Sequence, residues 1–198
     1  MKTDIFAVTN QGGGIETALQ QAELVAAYKQ LNTNAAMQLR LLTEETMGMM
    51  RAIAGTANGS FWIEDEDDCF AIHLVVETMM DSVKREQLLA ASTSGKNEAS
   101  RGLMGKIRDL FDRIGENGEM PLFDSPIMLG TSAEMYGSYS WSLDKYREAL
   151  VEYREKRGDA AEEAWDELEK SVVANVADEI KVSLRGNKAE MIIEKRFA

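Results

Sequence analysis

The segment Thr93–Ile114, TSGKNEASRGLMGKIRDLFDRI, joins a glycine-punctuated basic stretch directly to an amphipathic helix. Lys96, Arg101, Lys106 and Arg108 stand against the single acid Glu98 between Ser94 and Arg108, so this segment is positive within a chain of formal charge −12. A helix N-terminus presents unpaired backbone N–H groups and the positive end of the dipole. Glycines there let an anion, usually phosphate, approach the backbone. Gly95, Gly102 and Gly105 suit that use. On its own the pattern fits a plain flexible loop about as well, and the order of the elements before it tips the reading.

Asn34–Ala54, NAAMQLRLLTEETMGMMRAIA, reads as a long helix with Leu39, Leu42, Thr46, Met50 and Ile53 on one face. Asn32, Thr33 and Asn34 are N-cap candidates and Gly55 a stop. Glu45 falls at the shoulder of the apolar face, and Glu44 points the other way. Two strands follow: Phe61 and Ile63 alternate, the acidic run Glu64–Asp68 turns the chain, and Phe70, Ile72, Leu74 and Val76 alternate again. Next come Glu77-Thr78-Met79-Met80-Asp81, a short helix around Lys84–Ala90, and the glycine segment.

A helix with a glutamate pair, a hairpin, an acidic residue at a strand end, a short helix, a glycine loop and a helix: this order resembles the ATP-binding fold of histidine kinases, gyrase, mismatch-repair ATPases and heat-shock chaperones. In size it looks most like the bacterial anti-sigma factor serine kinases. The likeness covers roughly Ile15–Ile114 and the C-terminal strands. LLTEETMGMMRAI resembles the helix bearing the Glu-x-x-x-Asn motif, with Glu45 as its glutamate. HLVVETMMD resembles the strand and turn written Asp-x-Gly-x-Gly, with Glu77 for the aspartate. SGKNEASRGLMGKIRDLFD resembles the lid and second glycine box. The resemblance implies ATP or ADP as cofactor, Glu45 as the catalytic residue that orients the attacking group, Glu77 on adenine, and Lys96, Arg101, Gly102 and Gly105 on phosphates.

The chain also departs from that pattern. Met49 stands four residues after Glu45, where the family asparagine binds Mg²⁺, and a thioether is no substitute for an oxygen donor to a hard cation. Shifting the register by one places Gly48 there. Met79 and Asp81 replace both glycines of the first box. The implied protein is a degenerate member: an adenine-nucleotide-binding signalling regulator, or a protein-interaction module that does not use ATP.

Length and composition suit one domain with a proper core, at 198 residues and 44% hydrophobic. No apolar run reaches membrane-spanning length, and MKTDIFAVTNQGGG lacks the apolar core of a signal peptide. Cys69 is the only cysteine, so no intrachain disulfide forms and a reducing cytoplasm is expected. Strong acidity argues against general nucleic-acid binding.

A strand around Asp4–Val8, a flexible loop at Gly12–Gly14 and a helix over Ile15–Leu31 are expected at the N-terminus. At the other end, Ile180, Val182 and Leu184, then Met191 and Ile193, flank Gly186-Asn187 as a hairpin. Between them, 115–178 reads as an insertion: loop over Gly115–Gly137 with Pro121 and Pro126, then a helical hairpin. Ser142 caps its first helix, Gly158 ends it, and a second carries Ala161, Ala164, Trp165, Leu168 and Val172. The hairpin packs on the domain edge, or serves as an arm for a regulatory protein partner or a homodimer, because Tyr139, Trp141, Tyr146, Tyr153 and Trp165 gather there.

His73, the sole histidine, should lie on the sheet face opposite Ile72 and Leu74. Cys69 has no partner at metal-site spacing, and Glu64–Asp68 reads as a solvated turn rather than a calcium loop. Met47, Met49, Met50, Met79 and Met80 gather near the implied pocket, as core filling or as the lining of a site for another ligand. The expected fold is a two-layer α/β sandwich, helices on one face of a mainly antiparallel mixed sheet, with the helical insertion before the last hairpin.

Overall fold

The structure, a computed structural model, describes residues 1–53, 57–78, 102–112, 131–134, 138–156, 158–185 and 188–197. Its strands are β1 (Phe6–Thr9), β2 (Ala57–Glu66), β3 (Cys69–Thr78), β4 (Thr131–Glu134), β5 (Ser138–Ser142), β6 (Glu179–Arg185) and β7 (Lys188–Arg196). Its helices are α1 (Ile15–Tyr28), α2 (Thr33–Ala52), α3 (Gly102–Asp112), α4 (Leu143–Lys156), α5 (Gly158–Lys170) and α6 (Val172–Val176). The strands form one open sheet in the order β1-β2-β3-β7-β6-β5-β4, and every described pairing is antiparallel.

Local chemistry explains the joints. Gly14 enters α1 at φ 78, and a Cβ there would lie 2.4 Å from the Ala7 carbonyl oxygen, so the chain can turn this closely only with glycine. The Gly12–Gly14 segment is a hydrogen-bonded turn rather than a loose loop: Thr9 N–H donates to Gly13 O at 2.9 Å and Gly13 N–H to Thr9 Oγ1 at 3.0 Å. Asn32 caps α2 by accepting from Ala35 N–H at 2.9 Å. Thr43 and Thr46, fully buried within α2, donate their hydroxyls to the carbonyls of Leu39 and Leu42, which satisfies them without another partner. Asp67 and Asp68, at φ 49 and 61, make the two-residue β2–β3 turn, so Glu64, Asp65 and Glu66 belong to the strand.

One row of residue partners crosses all seven strands: Phe6, Phe61, Leu74, Met191, Val182, Trp141 and Thr131. This row lies on the face against which the helices pack, and its buried members join Leu39, Met50, Ile107, Tyr146 and Leu168 in a single core. Met47, Met49 and Met50 are part of it, at most 4% exposed; Met49 and Met50 are filling, while Met47 also borders a cleft beside α2. The opposite face carries Ser60, Trp62, Glu64, His73, Glu190, Ile192 and Glu194, as the two-residue period requires.

The insertion departs from its sequence reading in three ways. Its N-terminal part is not all loop, because β4 and β5 extend the sheet by two strands. Gly158 opens α5 instead of only ending the preceding helix. Val172 belongs to α6, because Ser171 breaks the helix and caps the next by accepting from Ala174 N–H. The helical hairpin is also more than an edge attachment. Trp141, Tyr146, Leu150, Ala164 and Leu168 are buried in the common core, and Lys106 of α3 pairs with Glu167 of α5. Of the aromatics gathered there, Trp141 and Tyr146 are buried, and Tyr139 and Trp165 are half-buried. Gly55, the helix expected over Lys84–Ala90, Pro121, Pro126 and Gly186-Asn187 lie outside the described residues.

Candidate functional site

Helix α2 lies at the centre of the helical layer, packed against α1, α3 and α6. Arg40 pairs with Glu23 of α1 at the exposed edge of the contact between the two helices. Glu45 is half-buried and Glu44 exposed, as the helical wheel predicts. Both line a cleft of about 330 Å3 between the start of α1 and the second half of α2. Ile15, Leu19 and Met47 supply its apolar part, Glu16 joins the two α2 glutamates, and Arg51 supplies the positive charge. Gly48 also lines it, and a Cβ there would meet no atom of the described residues within 4 Å.

Met49, four residues after Glu45, is 4% exposed and packed in the core. Neither it nor the exposed Gly48 offers a hard cation an oxygen donor. Among the described residues no group of three or more His, Cys, Asp and Glu side chains is arranged to hold a metal ion.

Helix α3 begins at Gly102 with φ 79, a left-handed start that favours glycine. Leu103, Ile107 and Arg108 are buried, which seats the helix on its neighbours, while Gly105 and Lys106 are half-buried. Because α3 packs against α2, Gly102 and Gly105 share a layer with Glu45. Lys96 and Arg101 lie outside the described residues, as do Met79, Met80 and Asp81.

Glu77 does not join them. In β3 the inward series is Phe70, Ile72, Leu74 and Val76, so Glu77 projects to the face away from the helices. There its carboxylate lies 2.8 Å from Lys188 Nζ of β7, with both side chains about half exposed. The implied adenine contact therefore sits across the sheet from Glu45, because the period of the strand, not the spacing of the motif, sets the side.

Two clusters had no signal in the sequence. The Asn10 carboxamide donates to Ile53 O at 2.9 Å and accepts from Ala57 N–H at 3.2 Å, bridging the end of α2 to the start of β2. On the outer face, His73 stacks on Trp62 between Glu64 and Glu190. Only the strand register brings residues so distant in sequence together. His73 does lie opposite Ile72 and Leu74, as its place in the alternation requires. No protein-family model matches the chain, and no curated protein matches it.

Proposed function

We propose that the chain is a degenerate histidine kinase-like ATPase domain that binds an adenine nucleotide as part of a signalling regulator, without turning it over. The observation that carries this reading is the topology. A β1-α1-α2-β2-β3 unit is followed by a glycine-initiated helix on α2, and the final β6–β7 hairpin closes against β3. In this reading ATP or ADP lies beside α2, with Glu45 at its reacting end. Gly102 and Gly105, with Lys96 and Arg101, hold the phosphates through backbone N–H groups and positive charge. Glu77 has no part in it, since its carboxylate is committed to Lys188 on the other face. Mg²⁺ adds little, because Met49 occupies the metal-ligand position and faces the core.

A second reading, a protein-interaction module that does not use ATP, is favoured by the same two departures at Glu77 and Met49. Calorimetric titration of the intact chain with ATP and ADP, with and without Mg²⁺, separates the two. Weak binding, nearly insensitive to Mg²⁺, is expected. Absence of heat for every adenine nucleotide at millimolar concentration refutes the nucleotide reading and leaves the interaction module. Strong Mg²⁺ dependence refutes the assignment of Met49 to the metal-ligand position.

A further inference from the structure

His73 sits at the middle of β3 on the sheet face away from the helices. Its ring lies flat on the Trp62 indole, with centroids 4.6 Å apart and planes 8° from parallel. Nε2 is 3.8 Å from Glu64 Oε2 of β2, and Nδ1 is 3.8 Å from Glu190 Oε1 of β7. The residue is 9% exposed, and its two buried ring nitrogens have no hydrogen-bond partner among the described residues. Lys2 also faces this cluster, with Nζ 5.0 Å above the Trp62 ring and 2.7 Å from Glu64 Oε1, and beyond Ile192 on β7 Glu194 is held by Lys181 of β6 at 2.5 Å. Trp62 Nε1–H donates to that same oxygen at 2.8 Å.

A neutral imidazole donates from one nitrogen and presents a lone pair at the other, whereas ionised carboxylates only accept. Placed between two carboxylates, the neutral ring can serve one and must oppose the second. An imidazolium donates from both nitrogens and serves both. We propose that His73 is a proton-operated clamp: protonated, it donates to Glu64 and Glu190 and ties β2, β3 and β7 together across the outer face; deprotonated, it lets at least one carboxylate go. Closure brings each carboxylate about 1 Å nearer the ring, to hydrogen-bond distance. Glu64 also holds Lys2 and the indole N–H, so the charge on His73 is felt at Trp62 and at the N-terminal segment.

Burial is the largest influence on the ring and takes its pKa below the usual histidine range, against the pull of Glu64 and Glu190. The clamp therefore closes on the acid side of neutrality. This device involves none of the residues assigned to nucleotide, so it stands or falls separately from that reading.

Because the chain holds one histidine, its imidazole can be followed unambiguously by ¹H–¹⁵N NMR of the intact protein from pH 8 to pH 5. The ring should titrate below the ordinary value, and in the acid form both N–H signals should appear, protected from exchange. Trp62 emission should be quenched with the same midpoint, and the change should vanish in Trp62→Phe. Glu64→Gln and Glu190→Gln should each move the midpoint down by roughly half a unit or more, since an opposite charge within about 4–6 Å favours the charged form. Glu190→Gln leaves the Lys2 and Trp62 contacts of Glu64 in place, so it reports on the clamp even if Glu64→Gln loosens the N-terminal segment. A midpoint unmoved by both substitutions, rapidly exchanging N–H protons in the acid form, or unfolding before the ring protonates would each overturn the proposal.

Discussion

Glu77 and Lys188 face each other across the β3–β7 pair, carboxylate to ammonium at 2.8 Å, on the side of the sheet that the helices leave open. The pairing takes the one acidic residue at the end of β3 away from α2. Glu77→Gln should therefore leave any adenine-nucleotide affinity unchanged in calorimetry. Its effect on stability should stay within about 1 kcal/mol, the usual size for an exposed ion pair. Loss of ATP binding in the folded variant would return Glu77 to the site.

Three glycines should separate cleanly under substitution by alanine. Gly14 and Gly102 have left-handed backbones, so each change should cost about 1–2 kcal/mol from the dihedral alone. Gly14→Ala should cost more, because its Cβ would lie close against the Ala7 carbonyl oxygen, whereas none of the described residues would come within 4 Å of a Cβ at Gly102. Gly48, exposed in the middle of α2 with none of the described residues within 4 Å of where a Cβ would lie, should respond in the opposite sense. Gly48→Ala should stabilise the fold by up to about 1 kcal/mol through helix propensity. Urea denaturation of the three variants gives the order directly.

The insertion belongs to the core, and its removal should show this. Deleting 141–176 strips Trp141 from β5 and Tyr146, Leu150 and Leu168 from the helices, leaving Ile180 and Val182 of β6 without their cover. The truncated chain should lose cooperative unfolding. Tyr146→Ala alone should cost about 3–5 kcal/mol, the range for removing a buried aromatic ring. Burial, with a smaller push from Glu167, takes the Tyr146 hydroxyl up to about 12, so this tyrosine should ionise late in a spectrophotometric titration. A truncated domain that still melts cooperatively would restore the hairpin to an appendage.

What the sequence made legible follows from the range of each interaction. Helix α2 could be read because its apolar period, its Asn32 cap and the placement of Glu45 are all local. The β2–β3 and β6–β7 hairpins were readable for the same reason, two alternating runs about a short turn. The strands β4 and β5 were not: TSAE and SYSWS are short and serine-rich, and they become strands by pairing in series onto β6, a partner some forty or more residues away. The side taken by Glu77 was in principle legible, since Val76 and Glu77 must face opposite ways. The spacing of the motif sets its position along the chain, whereas the parity of the strand sets its side. Asn10 and the Trp62–His73 stack could not be read at all, because each depends on cross-strand register or on a contact spanning more than forty residues.

The Asn10 bridge predicts a local loss. Its carboxamide serves one backbone carbonyl and one backbone N–H on either side of residues 54–56, and both bonds are partly buried. Asn10→Ala should lower stability by about 1–3 kcal/mol, from two hydrogen bonds worth roughly 0.5–1.5 each. Hydrogen exchange should quicken at the Ala57 amide while the centre of β3 stays protected. Uniform loss of protection across the sheet would show instead that the bridge holds the whole fold.

Stability should fall in two steps as pH is lowered, and the sign of each follows from the folded group. The imidazole of His73 has a pKa below its ordinary 6.5, chiefly through burial, so the fold prefers the neutral ring: desolvating the charge costs more than its bonds to Glu64 and Glu190 return, even though those bonds tie the strands locally. Its contribution is present above the unfolded value and is lost as pH falls through the folded one. Asp178 acts lower down. Burial raises its pKa, but hydrogen bonds from Lys195 Nζ and Arg196 N–H, both at 2.7 Å, outweigh that and hold it below 3.8. Its contribution is complete above the unfolded carboxylate value and fades as pH drops through the folded one. Urea midpoints measured from pH 8 to pH 3 should therefore decline first in the histidine range and again below the ordinary aspartate range. His73→Gln should flatten the upper decline and leave the lower, and Asp178→Asn should lessen only the lower, to which Glu64, held low by Lys2 and the Trp62 N–H, also contributes. If the upper decline survives His73→Gln, another group titrates there, and the buried ring on Trp62 does not govern stability near neutral pH.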